Sequence, residues 1–348
     1  MKIQQYAAQH GLLPADDGLI YFDLRTPPIR IEGFCEFARN GGQYLRLDPE
    51  TYAAVTPMAQ WHAHQTSGGC ARFRTDSAYC CIRMQYTTVQ PARNMSELAR
   101  GGIDVYEGVG AEKKLEIVGD PITGSYAYAC GWDVEGMREF SVHLPLYAGV
   151  FQCTIGFQPQ AELLPPTPHA LPKPILFYGS SITQGGCASR PGCAYPAIVC
   201  RHLDAEQVNL GFSGSALGEP QMARYIARQP MSAFVFDYDH NAPNAEHLAR
   251  THFAFYETVR AAQPELPILM LHHPCYRPRP WDTERFAVID ASYQKAIERG
   301  DRHVRLVPYT ALFAGPEPEG CTADGTHPND VGFARMAAAV EQALRELL

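Results

Sequence analysis

Ile175-Leu176-Phe177-Tyr178-Gly179-Ser180-Ser181-Ile182-Thr183-Gln184-Gly185-Gly186 is the stretch whose interpretation decides the fold. Four apolar residues, enough for a short buried parallel strand, run into a Gly-Ser-Ser turn and leave a serine hydroxyl at the strand's carboxyl end. In an open α/β sheet that edge is where ligands bind. Taken alone, Gly-Ser-Ser is also an ordinary turn, since Gly and Ser favour turns for backbone reasons. The surrounding chain separates the two readings.

Working toward the C-terminus, apolar runs alternate with helical patterns. Strands are predicted at 175–178, 207–210, 233–237, 268–272 and 304–308, and the clearest helices at 245–262, 281–299 and 330–347. Such alternation implies a doubly wound parallel sheet with right-handed crossovers over residues 175–348. Immediately upstream, residues 163–174 read Leu-Leu-Pro-Pro-Thr-Pro-His-Ala-Leu-Pro-Lys-Pro. So many prolines cannot feed a helix or a central strand, which makes this a stiff connector and domain boundary. Residues 1–162 show short strands at 19–22, 29–31, 78–86, 103–106 and 140–144, separated by Gly, Asp and Pro, with no long amphipathic helix. Alternation over 138–144 fits a sheet wet on one face, so this half is predicted to be an all-β, jelly-roll-like sandwich.

Composition limits the function. At 348 residues two domains are natural, and 46% hydrophobic with 19% charged residues describes a globular protein. A net charge of −8 and the lack of any basic run argue against a nucleic-acid partner. No stretch is long and apolar enough to span a bilayer, and the N-terminus lacks a secretory core, so a cytoplasmic protein without a membrane partner is expected. The eleven cysteines are odd in number and several lie in strand patterns, as in Tyr79-Cys80-Cys81-Ile82, so they read as reduced core residues. Cys187 and Cys193 are the exception, since they could pair in an oxidising compartment.

Three segments past predicted strands supply what a nucleophilic serine needs. Asp324-Gly325-Thr326-His327 places a carboxylate three residues before an imidazole on a tight turn, where it can fix the tautomer and stabilise the imidazolium. The competing reading is that Asp324 or Asn329 starts the following helix. Gly211-Phe212-Ser213-Gly214 offers an unobstructed backbone N–H, and Asn241 a neutral amide donor, as an oxyanion requires. Adjacent strand ends would bring Ser181, Gly214 and Asn241 onto one patch.

These residues resemble the four blocks of the SGNH, or GDSL-like, hydrolases, in order and spacing, across residues 172–348. The resemblance implies a flavodoxin-like three-layer domain with a five-stranded parallel sheet, Ser181 as nucleophile, His327 as base and Asp324 as its orienting acid. It also implies an oxyanion hole from the N–H groups of Ser181 and Gly214 and the Asn241 side chain. Ser180 departs from the aspartate of the name-giving motif, so altered local hydrogen bonding is expected there. Gly33-Phe34, 44–47, 64–68, 71–77 and 102–106 are similar to the β-sandwich domain preceding one subgroup of these esterases, whose members act on acylated carbohydrates or related small molecules. The expected substrate is therefore an acetyl or other short-chain ester of a sugar-like alcohol, hydrolysed without metal or cofactor.

Other readings compete. The same serine could pass its acyl group to an alcohol, as in an acyltransferase. An α/β-hydrolase would need a G-x-S-x-G elbow, absent here. A hydrolytic metal site would draw on His62, His64, Asp239, His240, His272 and His273, which show no recognisable ligand spacing. A carbohydrate-binding module without catalysis would leave the Ser-His-Asp set unexplained. Loops carry specificity, so Tyr276, Arg279 and Trp281 in 273–282 are candidates to shape a pocket. Asp239 and His240 either meet the substrate or support Asn241. Oligomeric state is left open, a homo-oligomer included.

Overall fold

The computed structural model describes residues 1–119 and 136–348 in full and the backbone over 126–131. Strands β1 (Ile20–Asp23), β2 (Arg30–Glu32), β3 (Cys70–Thr75), β4 (Tyr79–Val89), β5 (Ile103–Glu107), β6 (Lys114–Gly119), β7 (Tyr126–Gly131), β8 (Arg138–His143), β9 (Ala148–Phe157) and β10 (Leu163–Leu164) build two antiparallel sheets. One runs β1-β9-β4-β7 and the other β10-β3-β8-β5-β6, with β2 also paired to β3. This is the interleaved order of a jelly roll, widened at one edge by β2 and β10. Phe22, Phe73, Phe140, Ile155 and Phe157 fill the space between the sheets. The first two residues of the expected connector, Leu163 and Leu164, pair with Thr75 and Arg74 as β10; the prolines begin only after them.

Short helix α1 (Ile3–His10) precedes the strands, and α2 (Pro49–Ala54), α3 (Pro57–Ala63) and α4 (Glu97–Gly101) interrupt them. α2 and α3 each start on a proline behind a side-chain cap, Asp48 accepting from the Thr51 N–H and Thr56 from the Ala59 N–H.

The C-terminal half is a parallel sheet of β11 (Ile175–Gly179), β12 (Gln207–Gly211), β13 (Ala233–Asp237), β14 (Ile268–Leu271) and β15 (Val304–Val307), ordered β12-β11-β13-β14-β15. Around it stand α5 (Ser181–Gln184), α6 (Tyr195–His202), α7 (Pro220–Ala227), α8 (Ala245–Ala262), α9 (Pro280–Glu298), α10 (Tyr309–Leu312) and α11 (Asp330–Arg345). Each observed strand lies within a residue of its predicted span. Every residue of β11, β13 and β14 is buried, as a sheet covered on both faces requires. The period-two alternation splits β11 between the layers: Leu176 and Tyr178 pack under α7 and α8, Ile175 and Phe177 under α6 and α11.

The two halves share their cores. Leu47, Val55, Ala59 and Ala63, from the β-rich half, sit in the same cluster as Tyr178, Val208 and Tyr225. Leu146 and Tyr147 join the cluster on the other side of the sheet. This contact explains one departure from expectation: β8, predicted to be wet on one face, is buried at Glu139, Phe140, Ser141 and Val142. Its outward Glu139 binds Arg72 at 2.6 Å and the Thr167 hydroxyl of the connector at 2.7 Å, so the connector covers the face that alternation assigned to water.

Candidate active site

Strand β11 delivers Ser181 to the sheet's carboxyl edge, where the chain turns at once into α5. Gly179 has no alternative there, because a Cβ would fall 1.7 Å from Asp237 Oδ1 and 2.1 Å from Thr183 Oγ1. Gly211 answers the same need on β12, since its Cβ would lie 2.2 Å from the Gln184 N atom. Ser180, the departure from the family pattern, caps the turn by accepting from the Ile182 N–H at 3.1 Å. An aspartate's local capping task is thus done by a neutral hydroxyl in a fully buried position.

Ser181 Oγ lies 2.9 Å from His327 Nε2, and His327 Nδ1 lies 2.8 Å from Asp324 Oδ2. With Nδ1–H donated to the carboxylate, Nε2 is free to take the serine proton. The turn holds itself together: Asp324 Oδ1 accepts from the N–H groups of Thr326 (3.0 Å) and His327 (2.8 Å). Burial alone would raise the Asp324 carboxyl, but these donors, with the imidazole and the Asn94 amide, hold it far below the usual carboxylate range. The helix-start alternative falls to Asn329, whose side chain caps α11 through the Gly332 N–H. Asn94 was not anticipated. It reaches in from the β-rich half and donates to Asp324 Oδ2 at 2.8 Å. Gly186 bounds the site, for a Cβ there would stand 3.1 Å from the His327 ring.

Register aligns the remaining strand ends. Gly179 is paired with Gly211 on one side and Asp237 on the other, so the loops carrying Ser181, Gly214 and Asn241 leave the sheet side by side. Gly214 takes a left-handed φ of +66°, which glycine adopts without strain, and a Cβ there would meet no protein atom within 4 Å. The Asn241 Oδ1 accepts from the Ala216 N–H of the β12 loop at 3.4 Å. A second residue that sequence reasoning passed over, Gln184, ties this edge together. Fully buried, it accepts from the Ser213 N–H at 2.9 Å, donates to Leu146 O at 3.2 Å and bonds to Gln65 of the β-rich half.

Beneath Asn241 lies a buried acid–imidazole–acid chain. His273 Nδ1 meets Asp239 Oδ2 and its Nε2 meets Asp282 Oδ1, both at 2.7 Å. Burial alone would push this imidazole's pKa down, but the two carboxylates outweigh it and raise it to about 9. Asp239 also accepts from the N–H groups of His240 and His273 and has no exposed surface. Of the two roles weighed for Asp239, burial removes it from substrate contact, and its hydrogen bonds run to the His240 N–H within the turn and to the backbone and ring of His273. His240 is pushed down to about 4, by burial first and then by the charge of His273, and so stays neutral.

The histidines weighed as metal ligands are engaged elsewhere: His62 with Gln65 (2.9 Å), His64 with Tyr52 (3.1 Å) and His272 with Asp290 (3.1 Å). Among the described residues the group able to gather around an ion is instead Cys187, Asp324 and His327. Cys187 and Cys193 are both free thiols. Tyr276, Arg279 and Trp281 do line a cavity of about 340 Å³, shared with His240 and with Gly325 and Thr326 beside His327.

Residues 172–345 match the model of the GDSL-like lipase/acylhydrolase family, and residues 19–163 match that of the N-terminus of SGNH-hydrolase-type esterases. The chain belongs to the GDSL-like lipase/acylhydrolase family. As a member it is a hydrolase of carboxylic esters. No curated protein matches the sequence. Among solved structures, one described as a GDSL-like lipase from Bacteroides ovatus ATCC 8483 aligns with a TM-score of 0.85 at 24% identity, covering 94% of this chain and 98% of its own. The salicylyl-acyltransferase SsfX3 from a tetracycline biosynthetic pathway aligns at 0.78 and 18%, covering 96% and 98%. An acetyl xylan esterase, Est2A, from the rumen bacterium Butyrivibrio proteoclasticus aligns at 0.60 and 12%, covering 94% and 98%. These likenesses establish that the family domain and its β-sandwich partner recur together as one fold. Among the described residues no helix is long and apolar enough to cross a membrane.

Proposed function

We propose that this GDSL-family protein hydrolyses acetyl or other short-chain esters of a carbohydrate or related small molecule through an acyl-enzyme on Ser181. The observation that carries this reading is the unbroken line from Ser181 Oγ to His327 Nε2 (2.9 Å) and from His327 Nδ1 to Asp324 (2.8 Å). In the forward step Ser181 Oγ attacks the ester carbonyl while its proton passes to His327 Nε2. The oxyanion is met by the N–H groups of Ser181 and Gly214 and by the Asn241 amide. Collapse of the tetrahedral intermediate expels the alcohol, which takes the proton from His327, and water repeats the sequence to free the acid. Asp324 stays ionised throughout, because its donors oppose protonation, and so stabilises the imidazolium formed in each step.

The carbohydrate half of the proposal is supported by the likeness to an acetyl xylan esterase. Labelling by a fluorophosphonate, which needs an activated serine, should be complete in the native protein and absent in Ser181→Ala. Asn241→Ala should still be labelled, but should lose on the order of 100- to 1000-fold in kcat on an aryl acetate. Undiminished turnover in Asn241→Ala would remove that residue from the oxyanion hole. Product analysis with an added alcohol separates hydrolysis from acyl transfer.

A further inference from the structure

The cavity of about 340 Å³ beside His327 falls within the span of small-molecule pockets, roughly 300–1,000 Å³. Its lining is basic in a chain whose net charge is −8. Arg277 and Arg279 lie on the loop after β14, both exposed, and among the described residues neither forms an ion pair. The acids nearby are already committed. Asp282 spends one oxygen on His273 and the other on the Arg279 N–H, each at 2.7 Å. Asp239, behind it, is wholly internal. His273, with its raised pKa, carries a positive charge between those two carboxylates at neutral pH. Arg285 adds a second cation, its guanidinium bound to the carbonyls of Asp239, Trp281 and Ala242 and, among the described residues, to no carboxylate. His273 and Arg285 thus offset Asp239 and Asp282, and among the described residues the cavity's lining holds no further acid to neutralise Arg277 and Arg279.

We propose that this cavity is a subsite for an anionic oxyacid group, carboxylate, phosphate or sulfate, carried on the alcohol portion of the ester. The inference rests on the esterase reading above. Placement on the alcohol side follows from the wall formed by Gly325 and Thr326, which immediately precede the imidazole that hands its proton to the leaving alcohol. Guanidinium groups suit such oxyacids because their planar donor fork matches two oxygens at once. Tyr276, with 42% of its surface exposed, supplies an apolar flank for the ring that bears the group. Trp281 contributes less, since its ring is stacked on His273 and packed by Arg285.

The test compares 3-acetoxybenzoate with the neutral, nearly isosteric 3-acetoxybenzamide, and adds 3-acetoxyphenyl phosphate to tell phosphate from carboxylate recognition. A further pair, phenyl hemisuccinate and phenyl butyrate, moves the charge to the acyl side. On the native protein kcat/KM should favour an anionic alcohol over the benzamide by about tenfold, the scale of one charge-assisted contact. Raising the salt should erode that preference, and in Arg277→Ala/Arg279→Ala the ratio should fall toward one. Equal rates on the first pair, a preference that survives the double substitution, or a charge preference on the acyl side would each overturn the subsite. Turnover of the benzamide by the native protein reports the esterase reading separately: its absence sinks that reading, whereas turnover without charge preference sinks only the subsite.

Discussion

The parallel-sheet half and the β-sandwich half divide the work of the site unequally. The groups proposed to react, Ser181, Gly214, Asn241, Asp324 and His327, all stand in or just beyond the turns at the carboxyl edge of one sheet. The sandwich half sends in groups that hold these in place. Asn94 donates to Asp324, Gln65 bonds to Gln184 behind the Gly214 turn, and the Tyr147 hydroxyl donates to the Ser181 carbonyl at 3.2 Å. Arg46 goes furthest. Fully buried, it donates to the carbonyls of Asn209 (3.0 Å), Gly211 (2.7 Å) and His62 (2.6 Å). The contrast teaches that placing a reacting group is a local matter of strand and turn, while orienting it draws on chain from the other half.

Substitutions that spare the reacting groups test this division. The largest stability effect is expected at Arg46, where burial lowers the guanidinium pKa to about 9. Arg46→Ala removes that costly buried charge but takes the guanidinium from the Asn209 and Gly211 carbonyls and opens a cavity, each orphaned group being worth about 1–3 kcal/mol, while the His62 carbonyl keeps the Gln65 N–H. The net loss should be about 3 kcal/mol or more in urea unfolding, and a loss below about 1 kcal/mol would mean that the halves are not welded at this point. Next comes His273, which belongs to the sheet half and so serves as the internal comparison. His273→Gln leaves two buried carboxylates without their shared cation, and kcat should fall about 10- to 100-fold with little change in KM as the Asn241 turn loosens.

The same residue gives a pH signature. Its folded pKa, about 9, lies above the free value of about 6.5, so its contribution to stability is fully present below about 6.5 and is lost as pH rises through 9. The thermal midpoint of the native protein should therefore drop more steeply between those pH values than that of His273→Gln; parallel curves would show that His273 is not charged in the fold. The smallest effect is expected at Asn94. Asn94→Ala removes one hydrogen bond to a partly exposed carboxylate, worth about 0.5–1.5 kcal/mol, so kcat should fall roughly 3- to 10-fold and the unfolding free energy by no more than that amount. A fall as large as that of Asn241→Ala would make the sandwich a partner in the chemistry.

The legible and illegible parts follow the same division. β11, β13 and β14 were readable as short apolar runs, β12 and β15 as shorter apolar stretches closed by Gly and Pro, and Asp324 and His327 because they stand three positions apart on one turn. β3 was missed: its sequence, Cys-Ala-Arg-Phe-Arg-Thr, reads as polar until Arg72 is seen fully buried between Glu32 (3.1 Å) and Glu139 (2.6 Å). The His272-His273 pair suggested metal ligands because the sequence cannot show that Asp239 and Asp282 flank one imidazole.

By itself the sequence determined the two architectures, the serine at a strand end and the Asp-x-x-His turn, since each rests on periodicity or spacing within a few residues. Only the tertiary structure decided which side chains brace that turn and the Gly214 and Asn241 loops. Asn94 and Asp324 are 230 residues apart and Gln65 and Gln184 are 119 apart. Separations of that length leave no local pattern, and a buried polar residue declares its role only when the partner that offsets its lost hydration is in view.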